Sequence, residues 1–177
     1  MLPDRKNTRL HGYDYSSIGS YFITICTHNR EYFFGEIENK KFEFSPIGAI
    51  AYIFWNEIPR HFPQVRLGEF VIMPNHIHGI IEIVNDDFVG SRHGMSLQNH
   101  QNKFGKTIPG SISAIIGQFK SAVTRWCNKN GFNFAWQSRF YDNVIRSHVD
   151  YERIENYILN NVAYWEQDKF SNDIPSN

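Results

Sequence analysis

The sequence predicts an α+β domain in which helices pack on a mostly antiparallel sheet. Three observations lead there: short segments with the two-residue period of a strand, longer apolar stripes at helical spacing, and tight turns between consecutive strands. No segment repeats. The 177 residues are 41% hydrophobic and 20% charged, enough to bury one core, and residues 1–177 are expected to form a single domain.

The elements follow in order. Residues 20–28 alternate, with Phe22 and Thr24 on one side and Ile23, Ile25 and Thr27 on the other, and Gly19 and His28-Asn29 bound this strand. GEIENKKFEF reads as a hairpin turning near Asn39 and Lys40. Ser45-Pro46 supplies an N-cap and a proline at the first helical position. Ile47, Ile50, Ala51, Phe54 and Ile58 then keep helical spacing until Pro59 stops the run. Two strands, about 66–73 and 76–84, meet at a tight turn at Pro74-Asn75. Residues 85–109 are polar and aperiodic, which predicts a mobile or functional loop. A second helix starts near Ser111, with Ile112, Ile115, Ile116, Phe119, Val123 and Trp126 as its apolar stripe. Residues 139–146 form a further strand, and Ser147 with Asp150 resembles a capping box opening a last helix to about Val162.

Composition excludes several classes. Cys26 and Cys127 lie in apolar segments without metal-ligand or disulfide spacing, so neither a disulfide framework nor a cysteine-rich zinc site is expected. The N-terminal residues lack an apolar signal region and no run is long enough to span a bilayer, which predicts a cytoplasmic chain with no membrane partner. The net charge is zero, yet residues 101–146 carry seven basic side chains against one acid. Such a segment attracts polyanions whatever the total charge, although a solvated helix face explains it equally well.

The stretch VIMPNHIHGI carries the first chemistry. On a strand His76 and His78 share a face, so two imidazoles can converge on one ion. Alone, such a pair is more often two hydrogen-bonded histidines beside a turn. The last helix, DYERIENYILNNVAYW, places Tyr157 and Asn161 one turn apart beside the stripe of Ile154, Ile158 and Val162. Tyr151 and Tyr164 are further phenols in the same segment, and spacing alone does not choose among them.

MPNHIHGII, then AWQSRFYDNVIR, then DYERIENYILNN, together with the opening LHGYDYSSIGSYFITICTHNREYFFGEI, resemble the HUH tyrosine transposases of small insertion sequences and their REP-associated relatives. The resemblance covers about residues 9–165. It implies a ferredoxin-like, RRM-like antiparallel sheet backed by helices, with the His-hydrophobic-His motif on a central strand. It further implies that Tyr157 is the nucleophile and that His76, His78 and Asn161 hold a divalent ion, Mg2+ or Mn2+. The activity implied is metal-dependent cleavage and rejoining of single-stranded DNA through a 5′-phosphotyrosine. Val162 departs from the proline that many relatives carry after the asparagine. The implied partner is single-stranded or hairpin DNA, with both a homodimer and a monomer open. For contacts to that DNA, the expected residues are Lys120, Arg125, Lys129, Arg139 and Arg146 at phosphates and Trp136 in stacking. Two alternatives remain at this level: a non-catalytic RRM-like nucleic-acid binder, and a metal-dependent nuclease in which His76, His78 and Glu82 activate water.

Overall fold

The computed structural model describes residues 15–84, 108–167 and 171. Its main sheet has four strands: β1 (Gly19–Cys26), β4 (Val65–Met73), β5 (His76–Ile83) and β6 (Tyr141–Ile145), in the order β4-β5-β1-β6 with every neighbouring pair antiparallel. Helices α1 (Pro46–Asn56) and α2 (Ile58–His61) connect β1 to β4, and α3 (Ile112–Lys129) leads from β5 to β6. This is the expected ferredoxin-like arrangement. A hairpin of β2 (Gly35–Glu38) and β3 (Lys41–Phe44) is inserted after β1, and α4 (His148–Asn160) follows β6.

Local chemistry accounts for the elements. The hairpin turns through Asn39 and Lys40 at φ of 50° and 61°, the left-handed pair that matches strand twist in a two-residue turn. Ser45 and Ser111 cap α1 and α3 by accepting from the N–H of Gly48 and Ala114. Pro59 does not end the first helical run as expected. The run ends at Asn56, and Pro59 lies in the first turn of α2, where its missing N–H costs nothing. The fourth main strand is shorter than 139–146, so Arg139 precedes it and Arg146 follows it. Of the expected loop at 85–109, residues 85–107 lie outside the described residues.

Pleating gives the sheet two unlike faces. Tyr21, Ile23, Ile25, Ile77, Ile81 and Ile83 face α1 and α3 and form the main core with Ala51, Trp55, Ile115, Ile116, Phe119 and Val123. Cys127 joins this core fully buried, while Trp126 is only partly buried. The opposite face carries α4 through a smaller cluster, Ile80, Ile154 and Ile158, flanked by Phe22 and Val71. No helix among the described residues is long and apolar enough to cross a membrane.

Candidate active site

The turn before β5 fixes where the two histidines begin. Thr27 N–H donates to Asn75 O and Phe34 N–H donates to Pro74 O, both at 3.0 Å, which ties the turn to the segment leaving β1. His76 and His78 then fall on the α4 face, opposite Cys26 and Thr24 of β1. They are 0% and 2% exposed, with ring centroids 4.5 Å apart. Asn75 Oδ1 can only accept, so His76 Nδ1 donates to it at 2.8 Å and Nε2 of the neutral ring keeps the lone pair. Thr24 Oγ1 lies 2.8 Å from His78 Nδ1. With Nδ1–H donating there, His78 Nε2 accepts from the Tyr157 hydroxyl at 3.1 Å.

Helix α4 brings that hydroxyl in. Ser147 caps the helix by accepting from Asp150 N–H, and Ile154 and Ile158 seat it on Ile80. Tyr157, three residues after Ile154, reaches over the sheet. Its ring lies 5.3 Å from His78 and meets Phe22 edge-on at 6.2 Å, while Phe22 stacks on His78 at 5.3 Å. The residue is still 42% exposed, so its oxygen borders both the histidines and solvent. Asn161 follows directly after α4 and is 3% exposed, its Oδ1 buried with no hydrogen-bond partner among the described residues. In the next turn Trp165 stacks on His76 at 6.0 Å, closing the site from behind.

No family model matches the chain. A protein of Haemophilus influenzae (strain Rd), described as uncharacterized, is 42% identical over 167 residues that cover 93% of this chain and 92% of that protein, so the two belong to one family. Among solved structures, a REP-associated tyrosine transposase bound to a REP hairpin superposes with a TM-score of 0.60 at 19% identity, covering 94% of this chain and 80% of that one. The fold is that of a REP-associated tyrosine transposase.

On this transposase fold the residues expected from sequence separate into two groups. Tyr157 and His78 are in direct contact, and His76 adjoins His78. Asn161, one turn beyond Tyr157, lines a cavity beside α4 together with it. Of the competing phenols, Tyr151 is bound to Glu82; burial first and the Glu82 carboxylate second push its pKa up to about 12. Tyr164 is 59% exposed on the turn after α4. Glu82 is thereby engaged away from the histidines, although it shares their face. The basic residues do not gather at the site. Lys120 donates to Gln137 O at 2.7 Å and lies over the Trp136 ring, and burial lowers its pKa against an opposing effect of Cys26. Trp136 packs among Phe34, Phe119 and Phe134 and donates to Lys120 O at 3.2 Å. These two hold each other and pack on the core, both partly exposed. Arg125 and Lys129 lie on α3, across the sheet from Tyr157, and line a cavity against α1 and α2. Arg139 and Arg146 are exposed at opposite ends of β6.

The residues that sequence reasoning missed are those that orient the imidazoles. Asn75 adjoins His76 in the motif itself, and Thr24 shares with Phe22 one side of the predicted strand, but only the β1–β5 register sets it against His78. The donor set fits a divalent ion. Both Nδ1 atoms are held from behind, as the outer hydrogen bonds of metal-binding histidines commonly are. The buried Asn161 Oδ1 can supply a neutral oxygen. Among the described residues no group of three His, Cys, Asp or Glu side chains could hold an ion, so within these residues a third side-chain donor would be an amide or a hydroxyl.

Proposed function

We propose that this chain is a tyrosine transposase: a metal-dependent endonuclease and strand transferase for single-stranded DNA that works through a 5′-phosphotyrosine. One observation carries the reading, the Tyr157 hydroxyl 3.1 Å from Nε2 of a buried histidine whose other nitrogen is fixed by Thr24, with a second buried histidine beside it. The transposase that shares the fold is bound to a REP hairpin, and a single strand flanked by a hairpin is the corresponding substrate here.

His76, His78 and Asn161 would hold Mg2+ or Mn2+, neutral donors that suit these ions once phosphate oxygens and water complete the shell. When bound, the ion polarises a non-bridging phosphate oxygen and stabilises charge on the departing 3′ oxygen. Tyr157 Oη supplies the nucleophile. Its bond to phosphorus forms as the bond to the 3′ oxygen breaks; the phenol proton goes to solvent at the open side of the ring, and the 3′ oxygen leaves with the bonding pair. A different 3′-OH then attacks the phosphotyrosine and returns the phenol, rejoining DNA without a nucleotide cofactor. Asn75 keeps the His76 ring in the tautomer whose Nε2 carries the lone pair, and Thr24 orients the His78 ring through its Nδ1. In the water-activating alternative the base would be Glu82, which accepts from Tyr151.

The test is covalent capture on a denaturing gel with a labelled hairpin oligonucleotide and Mn2+. Wild type forms an adduct. Tyr157→Phe lowers its yield by at least about 1,000-fold while retaining DNA binding, because only the nucleophilic oxygen is lost. Adduct formation by the Phe variant overturns the assignment in favour of Tyr151 or Tyr164.

A further inference from the structure

A cavity of about 340 Å3 runs along the flank of α4 and the turn after it. Its lining is chemically narrow: the amides Asn156, Asn160, Asn161 and Gln167 and the phenols Tyr157 and Tyr164, with Arg153 at one end. Arg153 already donates to Asp150 Oδ1 at 3.3 Å, so the cavity offers no uncompensated cation and is poorly suited to phosphate. It offers planar rings beside neutral groups that both donate and accept. The Asn161 oxygen, buried without a partner among the described residues, marks the inner end as built for a ligand. Tyr157 contributes to this cavity and, through its hydroxyl, to the histidine site.

We infer that this cavity is a nucleobase subsite, which receives an unpaired base next to the cleaved phosphate and selects the strand by its sequence. The proposal rests on the proposed function. Unpaired bases are recognised by stacking on aromatic side chains and by hydrogen bonds along their edges, and asparagine and glutamine amides pair with those edges in a bidentate manner. Tyr164 supplies the stacking face. It is exposed, and no core packing accounts for its position. Asn156, also exposed, presents an amide from the adjacent turn of the helix. Asn160 is partly committed, donating to Asn156 O at 2.7 Å. Asn161 can hold the ion at the inner end while a base occupies the outer part. Placed there, the base would set which phosphate of a passing strand lies against Tyr157 Oη.

The experiment measures binding without cleavage, by fluorescence anisotropy, using labelled 12-nucleotide strands of dA, dT, dC and abasic sugar-phosphate of equal charge. For wild type, at least one base-bearing strand binds about tenfold tighter than the abasic strand, the range expected for stacking of a base on an aromatic ring. Tyr164→Ala combined with Asn156→Ala reduces that ratio by about fivefold and leaves abasic binding unchanged. Both residues are on the surface, so the fold is retained. Equal binding of all four strands by wild type, or a ratio that persists in the double variant, overturns the subsite. Because no adduct is required, a chain that failed the covalent-capture test would still answer this one.

Discussion

The two faces of the sheet are built on opposite terms. The face under α1 and α3 is lined by isoleucines and aromatics, with Trp55 stacked on Phe70 and set edge-on to Phe119. The face under α4 buries Thr24, His76, His78 and Asn161 beside two small apolar clusters, Ile80 with Ile154 and Ile158, and Cys26 with Met73 and Trp165. Burying polar groups is tolerated where they find partners; Thr24 and Asn75 partner and orient the two imidazoles, whereas the Asn161 oxygen has no hydrogen-bond partner among the described residues. One face therefore supplies most of the stability, so that the other can hold imidazoles, an amide and a half-exposed phenol. The two meet at Gly79, directly after His78, where any Cβ would run into the Trp55 ring. The strand that carries the histidines rests on the core through that glycine.

Substitutions on either side sharpen this contrast. Trp55→Ala removes the largest fully buried side chain and is expected to cost about 3–5 kcal/mol in urea unfolding. The protein that remains folded should keep its cleavage rate. Ile154→Ala, under α4, should cost less, about 2 kcal/mol, yet lower adduct formation in the folded protein because Tyr157 rides on that helix. If the two variants lose activity in proportion to stability, the faces do not divide the work in this way.

Thr24→Val tests the polar face by itself. Valine matches threonine in shape but cannot hydrogen-bond to His78 Nδ1, so the ring loses the contact that orients it while its surroundings stay packed. Losing such an outer hydrogen bond typically weakens metal binding about 10- to 100-fold. Mn2+ affinity measured calorimetrically should fall by that amount. Tyr157→Phe should shift affinity the other way, since its hydroxyl and a cation would use the same lone pair on His78 Nε2. If Thr24→Val binds Mn2+ like wild type, the hydrogen bond has no part in ion binding.

The sequence disclosed the two faces unequally. The apolar face was largely legible, because isoleucines at strand and helix periods declare themselves: the stripe of Ile112, Ile115 and Ile116 is buried as the spacing predicts, and Ile23 and Ile25, which share one side of the predicted strand, are buried with it. The histidine pair and the tyrosine helix were legible as motifs, since strand alternation and the helical turn place them without knowledge of the fold. Their meeting was not. It depends on β5 pairing with β1 in the middle of the sheet and on α4 crossing to the far side, contacts between residues 79 positions apart. Thr24 was hidden for the same reason. The placement of Lys120 and Trp136 was hidden as well, because charge and aromaticity are visible in a sequence, whereas the carbonyl groups of Gln137 and Lys120 that engage them are not. Glu82 shares the histidines' face, but Tyr151 engages it instead.

The smallest expected effect concerns how α4 is held. With thin packing beneath it, the helix depends on its cap: Ser147 Oγ accepts from Asp150 N–H at 3.1 Å and donates to Asp150 Oδ2 at 2.8 Å. Ser147→Ala is expected to cost about 1 kcal/mol at neutral pH. The loss has a sign in pH as well. The Ser147 hydroxyl first, and Arg153 second, hold the Asp150 carboxyl below the usual carboxylate range. A carboxylate whose pKa is lower in the folded chain contributes stability that is fully present above its unfolded pKa and is lost as pH falls through the folded value. The difference between wild type and Ser147→Ala in urea midpoint should thus be larger at pH 7 than near pH 3. An equal difference at both pH values would assign the whole effect to the Asp150 N–H bond and none to the carboxylate. The corresponding cap of α3, Ser111, accepts from Ala114 N–H and has no carboxylate partner three residues on. Ser111→Ala should show no such change with pH, which makes it the internal control for a helix held by the thicker face.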